Sequence, residues 1–380
     1  MVPCSTAPSP SRATGIVRRL RAMAPPALAQ MYRRDEKRFA FRVAPAAIGV
    51  AREGTSRRYT AISLLGLTAD GADLEAVTGT DGLIEICDRL VADLPQVTDL
   101  GEAALIAWAA HAVGHPESRR ARRAVVDLAP AGAARPTVES AWALVALTVG
   151  DAGEDHPARE QLADRLARAF DARSRLFSHM TGERARGLRT HVCCFADQVY
   201  PIFALSLRAM QTGSRDPLAM AEACAAQICA RQGAHGQWWW HYDHRTGSVV
   251  EEYPVYAIHQ DAMAPMALFA LEEAGGASHA AAIERGLAWL ESAPELGGGA
   301  LIDDGAGMVW RKVARHEPGK TSRYLQAAAT HLRAGLRAPG VGRLFPPGAI
   351  DREDRPYHWG WFLYAWAATR SARRLLGDQA

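Results

Sequence analysis

Ala- and Leu-rich apolar segments recur along this 380-residue chain, most of them long enough for a helix, and each is followed within a few residues by a glycine. Six of them are predicted as buried helices: 59–65, 100–113, 137–149, 197–210, 261–274 and 360–376. Gly66, Gly114, Gly150, Gly213, Gly275 and Gly377 follow them, where a left-handed C-cap needs a residue without Cβ. Between these segments lie others rich in Arg, Asp and Glu with one apolar face: 82–94, 117–128, 157–172, 217–231 and 280–292.

An apolar helix alternating with an amphipathic one suits an inner and an outer ring. The expected fold is therefore all-α: an α/α toroid, a barrel of repeated helical hairpins. Runs of β-branched residues are scarce, and neither GxGxxG nor GxxxxGK[ST] is present, which argues against nucleotide-binding α/β folds. Residues 1–13 are expected to be disordered and 14–380 to form one domain, with a basic, Ala-rich initial helix over 18–40. Lys plus Arg number 44 against 41 Asp plus Glu, for a net charge of +3. That balance does not support a nucleic-acid partner. Cys4, Cys87, Cys193, Cys194, Cys224 and Cys229 form no CxxC pair and read as reduced thiols. No run of about 20 apolar residues occurs, so no membrane span is expected and the cytoplasm is the expected compartment.

Two hairpins repeat in detail. Asp197-Gln198-Val199-Tyr200-Pro201 parallels Asp261-Ala262-Met263-Ala264-Pro265, each leading into an apolar helix and each preceded by an aromatic–His loop, Phe177-Ser178-His179 and Trp240-His241. Proline is tolerated in the first turn of a helix, so both aspartates are expected near helix N-termini, facing the same mouth of the ring. Each can serve as a helix cap or as a site carboxylate.

The residues most suggestive of chemistry lie between Gln232 and Asp261. Trp238, Trp239 and Trp240 are consecutive, and side chains in an extended segment alternate faces, so at least one should reach a cavity. Aromatic faces can stack on sugar rings or stabilise a cation. His241, Tyr242, Asp243, Glu251, Glu252, Tyr253, Tyr256 and His259 extend the set to Asp261, offering acids and bases for hydrolysis, elimination or epimerisation. Arg311, with Arg184, Arg186 and Arg189, could make one rim cationic and suited to an anionic substrate. The segment 357–361 is expected to close the ring against the first hairpins.

Gln232-x-x-x-Gly236-x-Trp238 resembles the QW repeat of terpenoid cyclase and prenyltransferase toroids, where Gln and Trp tie one hairpin to the next. The DxDD and DDxxD motifs of that chemistry are absent. Over residues 170–320 the Trp-Trp-Trp-His-Tyr-Asp loop and the helix after it also resemble six-hairpin carbohydrate-active enzymes, including unsaturated glucuronyl hydrolases and sugar epimerases. That resemblance implies a pocket at the loop end of the inner helices, lined by Trp, His and acidic residues. The separated Cys and Cys-His zinc ligands of lanthionine-cyclase toroids, a third relative, are missing.

The expected function is a carbohydrate-active enzyme of glycoside hydrolase, lyase or epimerase type acting on an anionic glycan. Asp261 and Asp197 would be base or anchor, Glu252 or Asp243 the acid, and His241 and His259 proton shuttles. Trp238, Trp239, Trp240, Tyr242, Tyr253, Tyr256, Arg311 and Arg189 would bind substrate. A terpene-cyclase-like enzyme acting on an isoprenoid is the alternative, and a non-catalytic binding toroid the third reading. No cofactor and no metal are expected, although His179, His191, His241 and His259 could meet in space.

Overall fold

The computed structural model describes residues 12–129, 134–150, 156–182, 187–367 and 369–377. The stretch expected to be disordered lies outside them as far as residue 11, and Arg12 opens a helix, Arg12–Met31. Six apolar helices form the inner layer: Arg57–Asp70, Leu100–Ala112, Thr137–Val149, Ala196–Thr212, Ala264–Glu273 and Pro356–Ala365. We refer to them as the first to sixth inner helices. Each packs on the next, and the sixth packs on the first. The helices Leu83–Asp93, Ser118–Leu128, His156–Ala169 and Arg215–Ala230 pack against them, and Ala280–Ser292 packs against the turn His259–Met263 that leads into the fifth and against the initial helix.

Residue composition explains the two layers. In the second inner helix only Glu102, His111 and Ala112 escape full burial, because a helix that is apolar on every side must be covered on every side. Ser118–Leu128 buries only Ala121, Arg122 and Val125, a narrow stripe spaced to meet its neighbour. The first inner helix starts at Ser56, whose hydroxyl accepts from Tyr59 N–H at 3.2 Å, and ends at Gly71 in the left-handed conformation. Asp99 caps the second by accepting from Glu102 N–H at 2.7 Å.

Gly66, predicted as a C-cap, lies inside the first inner helix instead. A Cβ on Gly66 would stand 2.2 Å from the Gly360 carbonyl oxygen, and one on Gly360 would stand 2.6 Å from that of Ile62. These glycines allow the first and sixth helices to touch backbone to backbone, so residues 357–361 meet the first hairpin. The last predicted helix divides in two, since Thr369 caps a separate Arg370–Leu376 by accepting from Ala372 N–H at 3.1 Å. The initial helix ends at Met31, well short of residue 40. The aromatic and β-branched run after it forms an antiparallel sheet of Tyr32–Arg33, Arg38–Pro45 and Val50–Thr55.

The repeated Asp-x-x-x-Pro unit is resolved differently in its two copies. Pro201 falls in the second turn of the fourth inner helix rather than its first. Pro265 falls in the first turn of the fifth, after a π-helical turn over His259–Met263. The Asp261 carbonyl, which an N–H at position 265 would have satisfied, accepts from Trp366 Nε1 at 2.6 Å instead. Cys87, Cys193, Cys194, Cys224 and Cys229 are free thiols, and Cys4 lies outside the described residues. Among those residues no helix is long and apolar enough to cross a membrane.

Candidate active site

A cavity of about 450 Å³ opens where the inner helices begin. Its walls include Arg58 and Tyr59 from the start of the first helix, Val138 and Trp142 from the third, and Ala196 and Tyr200 from the fourth. His259 and Met263 come from the π-helical turn before the fifth, and Tyr357 from the start of the sixth. Five helix N-termini thus converge on one space, and their positive dipole ends favour a negative charge there.

The walls are mainly aromatic. Phe41 stacks on Tyr59 with centroids 5.5 Å apart, and Tyr59 on Tyr357 at 4.6 Å. Trp142 meets Tyr200 edge-on at 5.0 Å, and Trp240 meets Tyr256 edge-on at 4.9 Å. Two cations interrupt this surface. Arg311 lies 5.2 Å over Tyr256 and pairs with Glu353; Arg58 lies 5.9 Å over Trp142. Charged groups among flat rings suit an amphipathic ligand with an anionic group better than a hydrocarbon.

Arg58 connects the cavity to two carboxyl groups that the sequence reading did not single out. Its guanidinium is 2.5 Å from Asp99 and 3.9 Å from Glu139. Glu139 lies in the first turn of the third helix, one residue after Val138 and three before Trp142, and its side chain is hydrogen-bonded to that of Asp99. Burial, followed by the Asp99 charge, raises the Glu139 pKa. A neighbouring carboxylate makes ionisation of Glu139 harder, and Arg58 at 3.9 Å works against that shift. Gly101 makes the contact possible, since a Cβ there would stand 2.8 Å from Glu139 Cγ. Neither carboxylate is itself a wall residue; both stand behind Arg58 at the cavity edge.

Four of the residues proposed from sequence line the cavity: Trp240, Tyr256, His259 and Arg311. His259 is buried, and desolvation lowers its pKa to about 3, so the ring stays neutral; its Nδ1 has no hydrogen-bond partner. As expected, one residue of the tryptophan run reaches the cavity. Trp238 is fully buried, Trp239 packs edge-on to Tyr253 at 5.8 Å, and Trp240 reaches the cavity. Gln232 donates to the Gly236 and Ala282 carbonyls at 2.8 and 2.9 Å, joining this loop to the next hairpin as the QW resemblance implies.

The other proposed residues sit elsewhere. Asp261 is buried against His358, whose Nε2 is 2.9 Å from its carboxylate, and Asp354 is 3.8 Å from the other ring nitrogen. Burial opposes the charge on His358, but these two carboxylates outweigh it and push the pKa up to about 10. Asp197 is buried, accepting from Cys194 N–H at 2.8 Å and from His179 Nδ1 at 3.0 Å. Asp243 is held by Arg245, whose side chain donates twice at 2.9 and 2.7 Å. His241 stacks on Trp240 at 4.3 Å, accepts from Arg189 at 3.4 Å and lies 3.7 Å from Glu251. Glu252 pairs with Arg337 at 3.0 Å, Tyr253 donates to Glu295 at 2.8 Å, and Tyr242 is fully buried. His191 is held by Thr330 at 2.9 Å. Arg184 and Arg186 lie outside the described residues.

No protein family and no curated protein matches the chain by sequence. Solved structures do match in fold. An unsaturated glucuronyl hydrolase specific for heparin superposes with a TM-score of 0.59 at 12% identity, covering 95% of this chain and 97% of that one. The unsaturated glucuronyl hydrolase of Bacillus sp. GL1, responsible for glycosaminoglycan degradation, gives 0.59 at 13% identity over 94% and 96%. A possible member of the GH105 family from Salmonella enterica gives 0.60 at 10% identity over the whole of both chains. The chain therefore shares the six-hairpin glycosidase-like fold of these hydrolases.

Proposed function

We propose that this protein is a glycoside hydrolase-type enzyme acting on an anionic glycan fragment, built as a closed α/α toroid of one domain with a cytoplasmic location. The observation that carries the reading is the Glu139–Asp99–Arg58 group at the edge of an aromatic cavity on which five helix N-termini converge. The neighbours by fold are hydrolases of unsaturated glucuronyl units, and one of them is a complex with an unsaturated uronyl-GalNAc6S disaccharide, which supports an acidic sugar as ligand.

The geometry narrows the chemistry. Retaining glycosidases hold two carboxyl groups about 5–5.5 Å apart and inverting ones about 6.5–9.5 Å apart. Glu139 and Asp99 are in hydrogen-bond contact and provide one acid rather than an acid and a separate nucleophile. One acid suffices for an enol ether such as that of an unsaturated uronyl residue. Turned past its neighbour Val138 into the cavity, Glu139 would protonate the double bond at carbon, giving an oxocarbenium ion that water captures; the hemiketal so formed opens to a carbonyl and leaves a hemiacetal at the anomeric carbon, whose collapse releases the next sugar. Asp99, paired with Arg58, would take the proton from that water. Trp240 and the Phe41–Tyr59–Tyr357 stack would support the sugar rings, and Arg311 with the helix N-termini would face the carboxylate.

The arginines at the walls favour this reading over the isoprenoid alternative, for which a wholly apolar cavity would be suited. Incubation of the protein with an unsaturated uronyl disaccharide, followed by loss of its conjugated ultraviolet absorbance, tests it. Turnover that disappears in Glu139→Gln is the expected outcome.

A further inference from the structure

The sequence leads to the expectation of no metal, yet at the start of the fourth inner helix the fold brings together three donors that lie far from any metal-binding spacing. His179 comes from the loop between the strands Leu176–Phe177 and Met180–Thr181, Cys194 ends the strand Val192–Cys194, and Asp197 lies in the first helical turn. One ligand atom from each lies within 4.8 Å of the others, and His179 Nδ1 is already 3.0 Å from Asp197. We propose that His179, Cys194 and Asp197 bind a single Zn²⁺ ion at the rim of the cavity, leaving a fourth position open to solvent.

The donor set and its surroundings carry the inference. Zinc accepts thiolate at about 2.3 Å and imidazole or carboxylate at about 2.0–2.2 Å, so tetrahedral ligands lie roughly 3.3–3.6 Å from one another. The three side chains need to move only slightly to meet that. One sulfur, one nitrogen and one oxygen suit zinc, whereas calcium and magnesium favour oxygen alone. Asp197 is oriented before any ion arrives, since Cys194 N–H holds its carboxylate at 2.8 Å. The His179 side chain is 54% exposed, which provides an entry path. On binding, the Cys194 thiol releases one proton to solvent, the His179 proton moves to Nε2, and Nδ1 turns its lone pair to the ion. Ala196, between two of the ligands, is a wall residue, which places the ion beside the cavity rather than on a remote face.

The full-length protein, freed of metal with a chelator and titrated with Co²⁺, should take up one equivalent and develop thiolate-to-cobalt charge-transfer absorption. Zn²⁺ should displace the cobalt and abolish the band. Cys194→Ser should lose the band while Cys229→Ser keeps it. His179→Ala, at a half-exposed position that does not threaten folding, should weaken Co²⁺ and Zn²⁺ binding at least about tenfold, given that loss of even an outer-shell partner costs about 10–100-fold. Absence of a band in the wild type, a band that survives Cys194→Ser, or Zn²⁺ affinity unchanged in His179→Ala would overturn the proposal. None of these readouts depends on turnover, so this site and the hydrolase reading stand or fall separately.

Discussion

Asp261 is a buried and Glu139 a half-buried carboxyl group, each beside cationic or hydrogen-bonding partners, and their environments assign them opposite roles. Burial and the neighbouring Asp99 charge raise the pKa of Glu139, which favours its acid form. Glu139→Gln should therefore lower kcat by about 10²–10⁴-fold, the range expected for losing a general acid, with the thermal midpoint unchanged or higher. Wild-type activity should fall on the alkaline side as Glu139 deprotonates, and a rate–pH profile reads this directly. Asp261 instead neutralises a fully buried imidazolium. Asp261→Asn should cost about 3–5 kcal/mol, the usual penalty for leaving a buried charge unpaired, measured by urea denaturation. Because the folded pKa of His358 lies above its unfolded value, its stabilisation is complete below about pH 6.5 and is lost as pH rises towards 10. A melting temperature that falls over that window, with the slope reduced in His358→Asn, checks the sign. Trp240, Tyr256, His259 and Arg311 were legible in sequence because they crowd one loop and the elements it meets. Asp99, Glu139 and Arg58 were not, since their contact spans three hairpins and no local spacing marks it.

At the level of elements, the apolar runs located all six inner helices, because a helix buried on every side has no polar face to obscure it. The short strands escaped notice: segments of two to eight residues depend on their partners more than on their own pattern. Glycines misled for a related reason. A glycine marks either a chain reversal or a close approach, and only the neighbouring element decides which. Gly66 is a close approach, so replacing it with Ala should reverse the usual sign of that change in a helix. In place of a gain approaching 1 kcal/mol, the Cβ would press on the Gly360 carbonyl and cost about 1–3 kcal/mol. Urea midpoints at constant m value measure it; a stabilised Gly66→Ala would mean the first and sixth helices are not in backbone contact.

For the molecule as a whole, the arrangement of helices explains where a site can form. Successive inner helices run the same way, so their N-termini gather at one end. There they bring backbone donors, the acidic side chains Asp99, Glu139, Asp197 and Asp261, and the aromatic loops into one region. The opposite end holds a second cavity of about 390 Å³ walled largely by Phe203, Leu207, Met266, Phe269 and Tyr364, which lacks such a convergence. The apolar–amphipathic alternation made this layout readable from sequence, whereas the pairing of particular carboxylates depended on how the hairpins turned about the axis. We propose Glu139 as the proton donor for an anionic, unsaturated glycan in the cavity at the N-terminal end. Single-turnover hydrolysis of an unsaturated uronyl disaccharide by wild type and Glu139→Gln, both shown to be folded, tests it most directly. Loss of the conjugated absorbance with wild type and its persistence with Glu139→Gln is the predicted result; equal rates for the two proteins, or no turnover by either, would contradict it.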